Sequence, residues 1–302
     1  TAVVHKGEYY IGVGARDRIA EAGETKSVDL LTVDWESEPV SDQSLQVVLM
    51  EHRWYSVREE AEDGFTYWTW VTEDVPVYTT TATTDDDGKA AVAFTPEKSG
   101  SYKVLATGED TQGNEIRSST YLWVWGGGGA RWRQESNNRI DLIPDKDSYE
   151  VGDVAEILIP SPYTGAVRAL ITIERGHFFS SEVRTLESNT EVIRVPIEAA
   201  HIPNIFVSVV IVQGSDQAPD TMASFKMGLV KLPVSIEQKE LHITLTPDRS
   251  IEAGAYYRPR ETAIYDVQVT DHAGDPVAAE LSLRLADLAV LALAEDRGPT
   301  LL

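Results

Sequence analysis

Alternation of apolar and polar residues dominates the chain and predicts β-strands along its whole length. Short runs rich in Val, Ile, Thr and aromatic residues recur between turn residues, as they do in half-buried sheets. No segment of a dozen residues has the period of an amphipathic helix. This pattern is typical of β-sandwiches. The runs begin at Gln46, Tyr67, Ala90, Tyr102, Ser119, Ala155, Ala169, Glu191, Phe206, His242, Ala263 and Glu280.

Turn chemistry separates these runs. Asp86-Asp87-Gly88, Gln112-Gly113-Asn114 and Ala273-Gly274-Asp275 each place a glycine where a hairpin needs a positive φ. We therefore expect three hairpin turns at these positions.

A second pattern repeats at the scale of a domain. Three units open with an apolar anchor, a tight turn, an acidic residue and then a strand. The turns centre on Gly23, Gly152 and Arg260, so two of the three have glycine at the central position. We interpret this repeat as structural rather than as a binding motif.

Glycine and proline predict the domain boundaries. Four consecutive glycines, Gly126, Gly127, Gly128 and Gly129, form the clearest linker and a candidate hinge. A second boundary is expected near Leu232-Pro233. The predicted domains are residues 1–130, 131–234 and 235–302, each a sandwich, with the last one short enough to indicate truncation.

Composition narrows the function. The chain has 302 residues, a formal net charge of −23 and no cysteine. The excess of carboxylates disfavours nucleic acid and membrane surfaces as partners. The lack of cysteine excludes disulfides, thiolate metal sites and a cysteine nucleophile. No run approaches the ~20 apolar residues of a membrane span, and the first residues lack a signal-peptide layout. Both ends suggest a piece of a longer protein.

Candidate catalytic and metal-binding groups are weak. The acidic runs at residues 59–63 and 85–87 could hold calcium, but neither has EF-hand spacing, and solvated loops are the better interpretation. The histidines are scattered without zinc-peptidase spacing, and the Gly-x-Ser-x-Gly motif is absent. We expect no catalytic residue, no metal site and no cofactor in this chain.

Tryptophan is the most unusual residue type in the chain. Two pairs, Trp68/Trp70 and Trp123/Trp125, have i, i+2 spacing, so each pair points to one face of a strand. They could form a stacking platform for sugars, or they could belong to a core or an interdomain contact. Core or interface is the favoured interpretation. For Arg131-Trp132-Arg133, an interdomain packing or salt-bridge role is expected.

Four stretches of the sequence carry a family resemblance, residues 139–163, 169–176, 202–210 and 279–293. They resemble the bacterial alpha-2-macroglobulin family, with Ala286 in place of the family's usual Val before Asp287. Residues 85–88, 99–102 and 121–125 resemble the preceding domain of that family. The resemblance covers nearly the whole chain and implies tandem immunoglobulin-like macroglobulin sandwiches.

The resemblance also implies a function. Family members inhibit endopeptidases: the protease cuts a bait region, and the inhibitor rearranges around it. The bait region would start near Glu295, Asp296, Arg297 and Gly298, with Arg297 as a trypsin-like cleavage site. The family's Cys–Gln thioester cannot lie in this chain. The implied partners are endopeptidases, reached through the full-length protein, and neighbouring macroglobulin domains. The implied location is extracytoplasmic: periplasmic, cell-surface or secreted.

Two other functions remain open from the residues alone. The tryptophans allow a cell-surface adhesin or a carbohydrate-binding module. A glycoside hydrolase would need two facing carboxylates, and the sequence favours no such pair.

Overall fold

The computed structural model describes residues 7–60, 66–133, 137–214, 223–248, 257 and 260–283, and these residues are nearly all β. Besides strands they contain two short 3-10 helices, Ala199–His201 and Glu237–Lys239. The all-β prediction is therefore confirmed. The strands are β1 (Tyr10–Ala15), β2 (Ile19–Glu21), β3 (Lys26–Val33), β4 (Ser44–Glu60), β5 (Thr66–Thr83), β6 (Lys89–Phe94), β7 (Gly100–Glu109), β8 (Glu115–Trp125), β9 (Ile143–Pro144), β10 (Val154–Pro160), β11 (Val167–Glu174), β12 (Phe178–Leu186), β13 (Thr190–Pro196), β14 (Asn204–Gln213), β15 (Ser224–Pro233), β16 (His242–Pro247) and β17 (Tyr265–Thr270).

The first sandwich packs two sheets, β1-β3-β6 and β2-β8-β7-β4-β5. All its strand pairs are antiparallel except β2 with β8, which run parallel. Alternate residues of β4 and β7, among them Val47 and Val104, point inward and are fully buried. The period-two pattern of the sequence thus places its apolar set in the core.

The second sandwich packs β13-β10-β9 against β12-β11-β14-β15. Its core takes alternate residues of β10, β11 and β14, including Ile157, Ala169 and Val207. Leu158 lies on the opposite face of β10 from Ile157, yet it is also fully buried. Both faces of β10 are therefore covered, which requires a neighbour outside this sandwich.

The chain divides into two compact units, residues 1–235 and 236–302. The first unit contains both sandwiches. The described strands of the second unit form the hairpin β16–β17. The strand expected from Glu280 is wrong over residues 280–283, which have no regular secondary structure. Alternation alone does not form a strand, because its backbone groups need a hydrogen-bonded neighbour. The two predicted domain boundaries stay predictions.

The positive φ expected at the turn glycines is confirmed. Gly88, Gly113 and Gly274 have φ of 70°, 84° and 87°. The hairpin prediction is wrong for Gly88, whose loop joins β5 to β6, and these strands lie in different sheets. The loop chemistry specifies a tight reversal but not which strands pair across it.

The domain-scale repeat also has a conformational basis. Its three central residues, Gly23, Gly152 and Arg260, have φ of 86°, 101° and 74°. All three central residues thus share the left-handed conformation, which arginine adopts at the third.

Among the described residues, one five-residue loop with an aspartate at its first position occurs four times. The aspartates are Asp34, Asp85, Asp110 and Asp271, and in each case Oδ1 accepts the N–H groups two and four residues later at 2.8–3.0 Å. The fourth residue of each loop has a positive φ. It is glycine in three loops and Ser37, with φ of 68°, in the first. Asp-x-x-Gly is the sequence signal for this loop.

Replacing Ser37 with glycine is expected to stabilise the chain by roughly 0.5–1 kcal/mol, because a side chain is strained in the left-handed region. The matched control is Gly113→Ser. An added Cβ there meets only Glu109 Oε1 at 3.7 Å, so the strain of φ acts alone. Urea denaturation should show an opposite shift of the midpoint for the two variants. A destabilised Ser37→Gly chain would contradict this account of the loop.

Candidate functional site at the junction of the two sandwiches

An apolar patch joins the two sandwiches. On the second sandwich, Val192, Leu158 and Ile143 are register neighbours across β13, β10 and β9. They pack with Ile19, Ala130 and Trp132, which are buried, and with the half-buried Trp123 and Trp125. The consecutive apolar residues 157–159 were the sequence signal for this second buried face. The junction is thus a buried apolar cluster of its own, separate from the two sandwich cores.

Asn189 holds the segment that follows the four glycines on the second sandwich by hydrogen bonds. It precedes β13 and is 7% exposed. Its Oδ1 accepts the Ala130 N–H at 3.0 Å, and its Nδ2 donates to the Ala130 carbonyl at 2.7 Å. Its own carbonyl accepts Trp132 Nε1–H at 2.5 Å. These bonds are shielded from water, so breaking any of them leaves a buried polar group unpaired.

A second set of contacts lies at Arg18. Its backbone N–H donates to the carbonyl of Asp145 at 2.8 Å, and its guanidinium forms an ion pair with Asp147. The Arg18 carbonyl accepts the N–H of Trp123 at 2.9 Å. The chain before β2 is thereby tied both to β8 of its own sandwich and to the second sandwich.

Three of the tryptophans pack at the junction. Trp123 and Trp125 contact the same patch, which confirms that they share one face and confirms the interface interpretation for this pair. The packing role of Trp132 is confirmed as well. Trp35 differs, with 57% of its surface exposed in the Asp34 loop. The Trp68 side chain lies outside the described residues.

Arginines lie over tryptophan rings at and near the junction. The Arg133 guanidinium carbon lies 4.0 Å from the ring centroid of Trp70 and 5.5 Å from that of Trp54. The Arg194 guanidinium lies 5.9 Å from Trp125. Cation–π contacts of this kind occupy ring faces that a stacked sugar would need.

A histidine and two charged residues form a network beside these rings. His52 Nδ1 lies 2.5 Å from Asp74 Oδ1, and Lys103 Nζ lies 3.1 Å from Asp74 Oδ2. Burial opposes ionisation of Asp74, but the hydrogen bonds from His52 and Lys103 outweigh it and lower the pKa of this carboxyl. Ser101 is the register partner of His52 on β7, yet no hydrogen bond joins the two side chains. The geometry is that of a carboxylate that accepts hydrogen bonds from a histidine and a lysine.

Only some of the predicted site residues lie among the residues that the structure describes. Glu295, Asp296, Arg297 and Gly298 lie outside the described residues, so the bait-region start stays a prediction. The acidic run at 59–63 also lies largely outside them. In the run at 85–87, Asp85 caps its own loop and Asp87 contacts Lys89 at 3.4 Å. Within the described residues no group of three or more His, Asp or Glu side chains could hold a metal ion.

The predicted hinge glycines have defined conformations. Gly126, Gly127 and Gly128 have φ of 77°, 61° and 110°. Ser99 Oγ donates to the carbonyl of Gly128 at 2.9 Å. The hinge stays a prediction.

Arg175 organises the far end of the second sandwich, a role that sequence reasoning missed. Its guanidinium donates to four carbonyls of one loop, those of Ala200, His201, Ile202 and Asn204, at 3.0, 3.2, 2.5 and 3.0 Å. A planar guanidinium with five N–H donors suits such a cluster of carbonyls. The stretches 169–176 and 202–210 of the family resemblance meet at this contact.

His201 in the same loop makes stability depend on pH. Burial, and then the positive charge of Arg175, lower the pKa of His201 against the opposing effect of Glu198. The neutral ring is also needed because Nδ1 accepts the Glu198 N–H at 3.0 Å. The unfolded chain therefore binds a proton more readily than the folded one, so stability present above pH ~6.5 is lost as the pH falls.

We expect the free energy of unfolding to decline between pH 8 and pH 5.5. His201 alone contributes at most about 1.4 kcal/mol per pH unit to this slope. His201→Asn keeps an acceptor but does not titrate, so its slope should be smaller. Urea titrations at several pH values measure both chains. Equal slopes would contradict the assignment to His201.

Comparison with known proteins gives the family. The model of the alpha-2-macroglobulin bait region domain matches residues 140–293, and that of bacterial macroglobulin domain 6 matches residues 12–124. The chain belongs to the bacterial alpha-2-macroglobulin family. The junction residues Ala130 and Trp132 lie between the two matches.

The relatives of the chain are far longer than it is. The alpha-2-macroglobulin homolog of Nostoc sp. is 25% identical over 289 residues, which are 94% of this chain and 15% of that protein. Alpha-2-macroglobulin of Ralstonia nicotianae is 28% identical over 228 residues, 72% of this chain and 13% of that protein. The native conformation of Escherichia coli alpha-2-macroglobulin matches with a TM-score of 0.33 and 20% identity, covering 85% of this chain and 16% of that one. The chain thus spans about 15% of the length of the Nostoc relative.

The part of the chain that the structure describes contains no helix long and apolar enough to cross a membrane.

Proposed function

We propose that this chain is scaffold from an endopeptidase inhibitor that traps proteases once its bait region has been cut. The chain itself carries out no catalysis in this proposal. The observation that carries it is the match to the bait region domain over residues 140–293, which ends next to the predicted cleavage segment at Glu295. The target endopeptidases are met by the full-length protein, and the setting is extracytoplasmic.

The sandwiches support this role because their strand backbones are inaccessible to a protease. A protease needs an extended, accessible backbone, whereas strand backbones are paired on both sides within a sheet. Arg168, for example, lies in β11 between β12 and β14. A trypsin-like protease can reach its backbone only after local unfolding. Folded sandwiches thus direct cleavage to a segment outside them.

The test maps the first cleavage in the full-length protein that carries this chain. Brief incubation with trypsin, followed by mass spectrometry, should find the first cut after Arg297. Arg297→Gln should slow that cut at least tenfold, while the matched control Arg168→Gln should cleave like the unaltered protein. A first cut within the sandwiches, or equal rates for both variants, would overturn the proposed position of the bait segment.

A further inference from the structure

The junction has a mechanical consequence. We propose that the two sandwiches are locked into one rigid body by Trp132 and Asn189, and that the tetraglycine is a fixed corner instead of a hinge. This inference concerns the 302-residue chain itself and does not depend on protease trapping.

Backbone conformation and lack of space, rather than a need for flexibility, explain why glycine occupies these positions. Three consecutive residues with positive φ are a backbone path that only glycine follows without strain. At Gly127 an added Cβ would lie 2.8 Å from the Cβ of Ala22 and 3.3 Å from the carbonyl of Glu97. The chain passes too close to the first sandwich there for any side chain. A flexible linker would need neither three consecutive residues with positive φ nor so close an approach to a sandwich.

The lock begins one residue beyond the corner. Ala130 is held through both its N–H and its carbonyl by the side chain of Asn189, and Trp132 Nε1–H reaches the Asn189 carbonyl. Ala130, Trp132 and Asn189 are each at most 8% exposed. These bonds hold residues 130–132 on the second sandwich, and Trp132 packs in the same apolar patch as Ile19 of the first sandwich. Rotation about the glycines would expose this apolar patch to water.

A second, separate attachment removes the remaining freedom. Arg18 is joined to Asp145 through the backbone, at 2.8 Å, and its side chain is joined to Asp147. One attachment alone would leave an axis of rotation, whereas two attachments on different chain segments, with an apolar patch between them, do not. We therefore expect the sandwiches to keep one mutual orientation.

The experiment measures a distance across the junction. The chain has no cysteine, so Thr81→Cys on β5 and Arg168→Cys on β11, both exposed positions, give two unique sites for nitroxide labels. Pulsed electron paramagnetic resonance on the labelled chain should show one narrow distance peak. In Trp132→Ala/Asn189→Ala the peak should broaden at least twofold, and Asn189→Ala alone provides a milder variant that keeps the apolar patch. The far-ultraviolet circular dichroism of each variant checks that its strands remain.

Each outcome decides the proposal. A broad distribution in the unaltered junction would show that the glycines act as a hinge and would overturn the lock. A narrow peak that survives the removal of both Trp132 and Asn189 would overturn the assignment to these residues. A narrow peak that broadens in the variants, with strand content kept, supports the lock.

Discussion

Replacing Trp132 with alanine is expected to lower the free energy of unfolding of the two-sandwich unit by about 3–5 kcal/mol. The change leaves a cavity in the apolar patch that contains Ile19 and Leu158. It also removes the Nε1–H group that donates to the Asn189 carbonyl. Because the patch couples the two cores, we also expect the single unfolding transition to separate into two.

The design isolates packing from hydrogen bonding. Trp132→Phe keeps much of the apolar volume but loses the Nε1–H donor, so it should cost about 1–3 kcal/mol, the penalty of an unpaired buried carbonyl. Trp35→Ala, at a site 57% exposed, is the control and should cost far less than Trp132→Ala. Urea denaturation followed by circular dichroism measures all three. Equal losses for Trp35→Ala and Trp132→Ala would contradict the role of the junction.

Replacing Arg175 with methionine is expected to cost about 3 kcal/mol. Four carbonyls at residues 200–204 lose a charged donor at once, and hydrogen bonds to charged groups contribute about 1.5–3 kcal/mol each before the loop relaxes toward water. Methionine retains most of the aliphatic packing, so the loss reports mainly on the hydrogen bonds.

Two further variants provide the comparison for Arg175→Met. Arg175→Lys keeps the charge but offers no planar fork, so it should recover only part of the loss. Arg168→Met, on the exposed face of β11, should change stability by less than about 0.5 kcal/mol. Shifts of the urea midpoint at constant slope provide the comparison. An Arg175→Met chain as stable as Arg168→Met would refute the clamp.

Local patterns in the sequence predicted local structure well. Alternation identified the core strands, and glycines at 88, 113 and 274 marked left-handed turn positions. The i, i+2 spacing of Trp123 and Trp125 placed them on one face, and that face is the junction. These features succeed because each depends on residues that are close in the chain.

The failures concern partners that are distant in the chain. The turn at Gly88 joins two sheets, and alternation cannot say to which sheet a strand belongs. Asn189 pairs with Ala130 across 59 residues, and Arg175 donates to carbonyls 25 to 29 residues away. Asn and Arg have no apolar period that would reveal such partners. Consecutive apolar residues at 157–159 were the one available signal of the second buried face.

The size selectivity of inhibition tests the proposed scaffold role most directly. The full-length protein would be incubated with trypsin, and the remaining activity would be measured on a large protein substrate and on a small chromogenic peptide. Trapping predicts that hydrolysis of the large substrate falls by at least tenfold while hydrolysis of the small peptide is largely retained, since only small molecules reach an enclosed protease. Full activity on both substrates, with the inhibitor left uncut, would contradict the proposal.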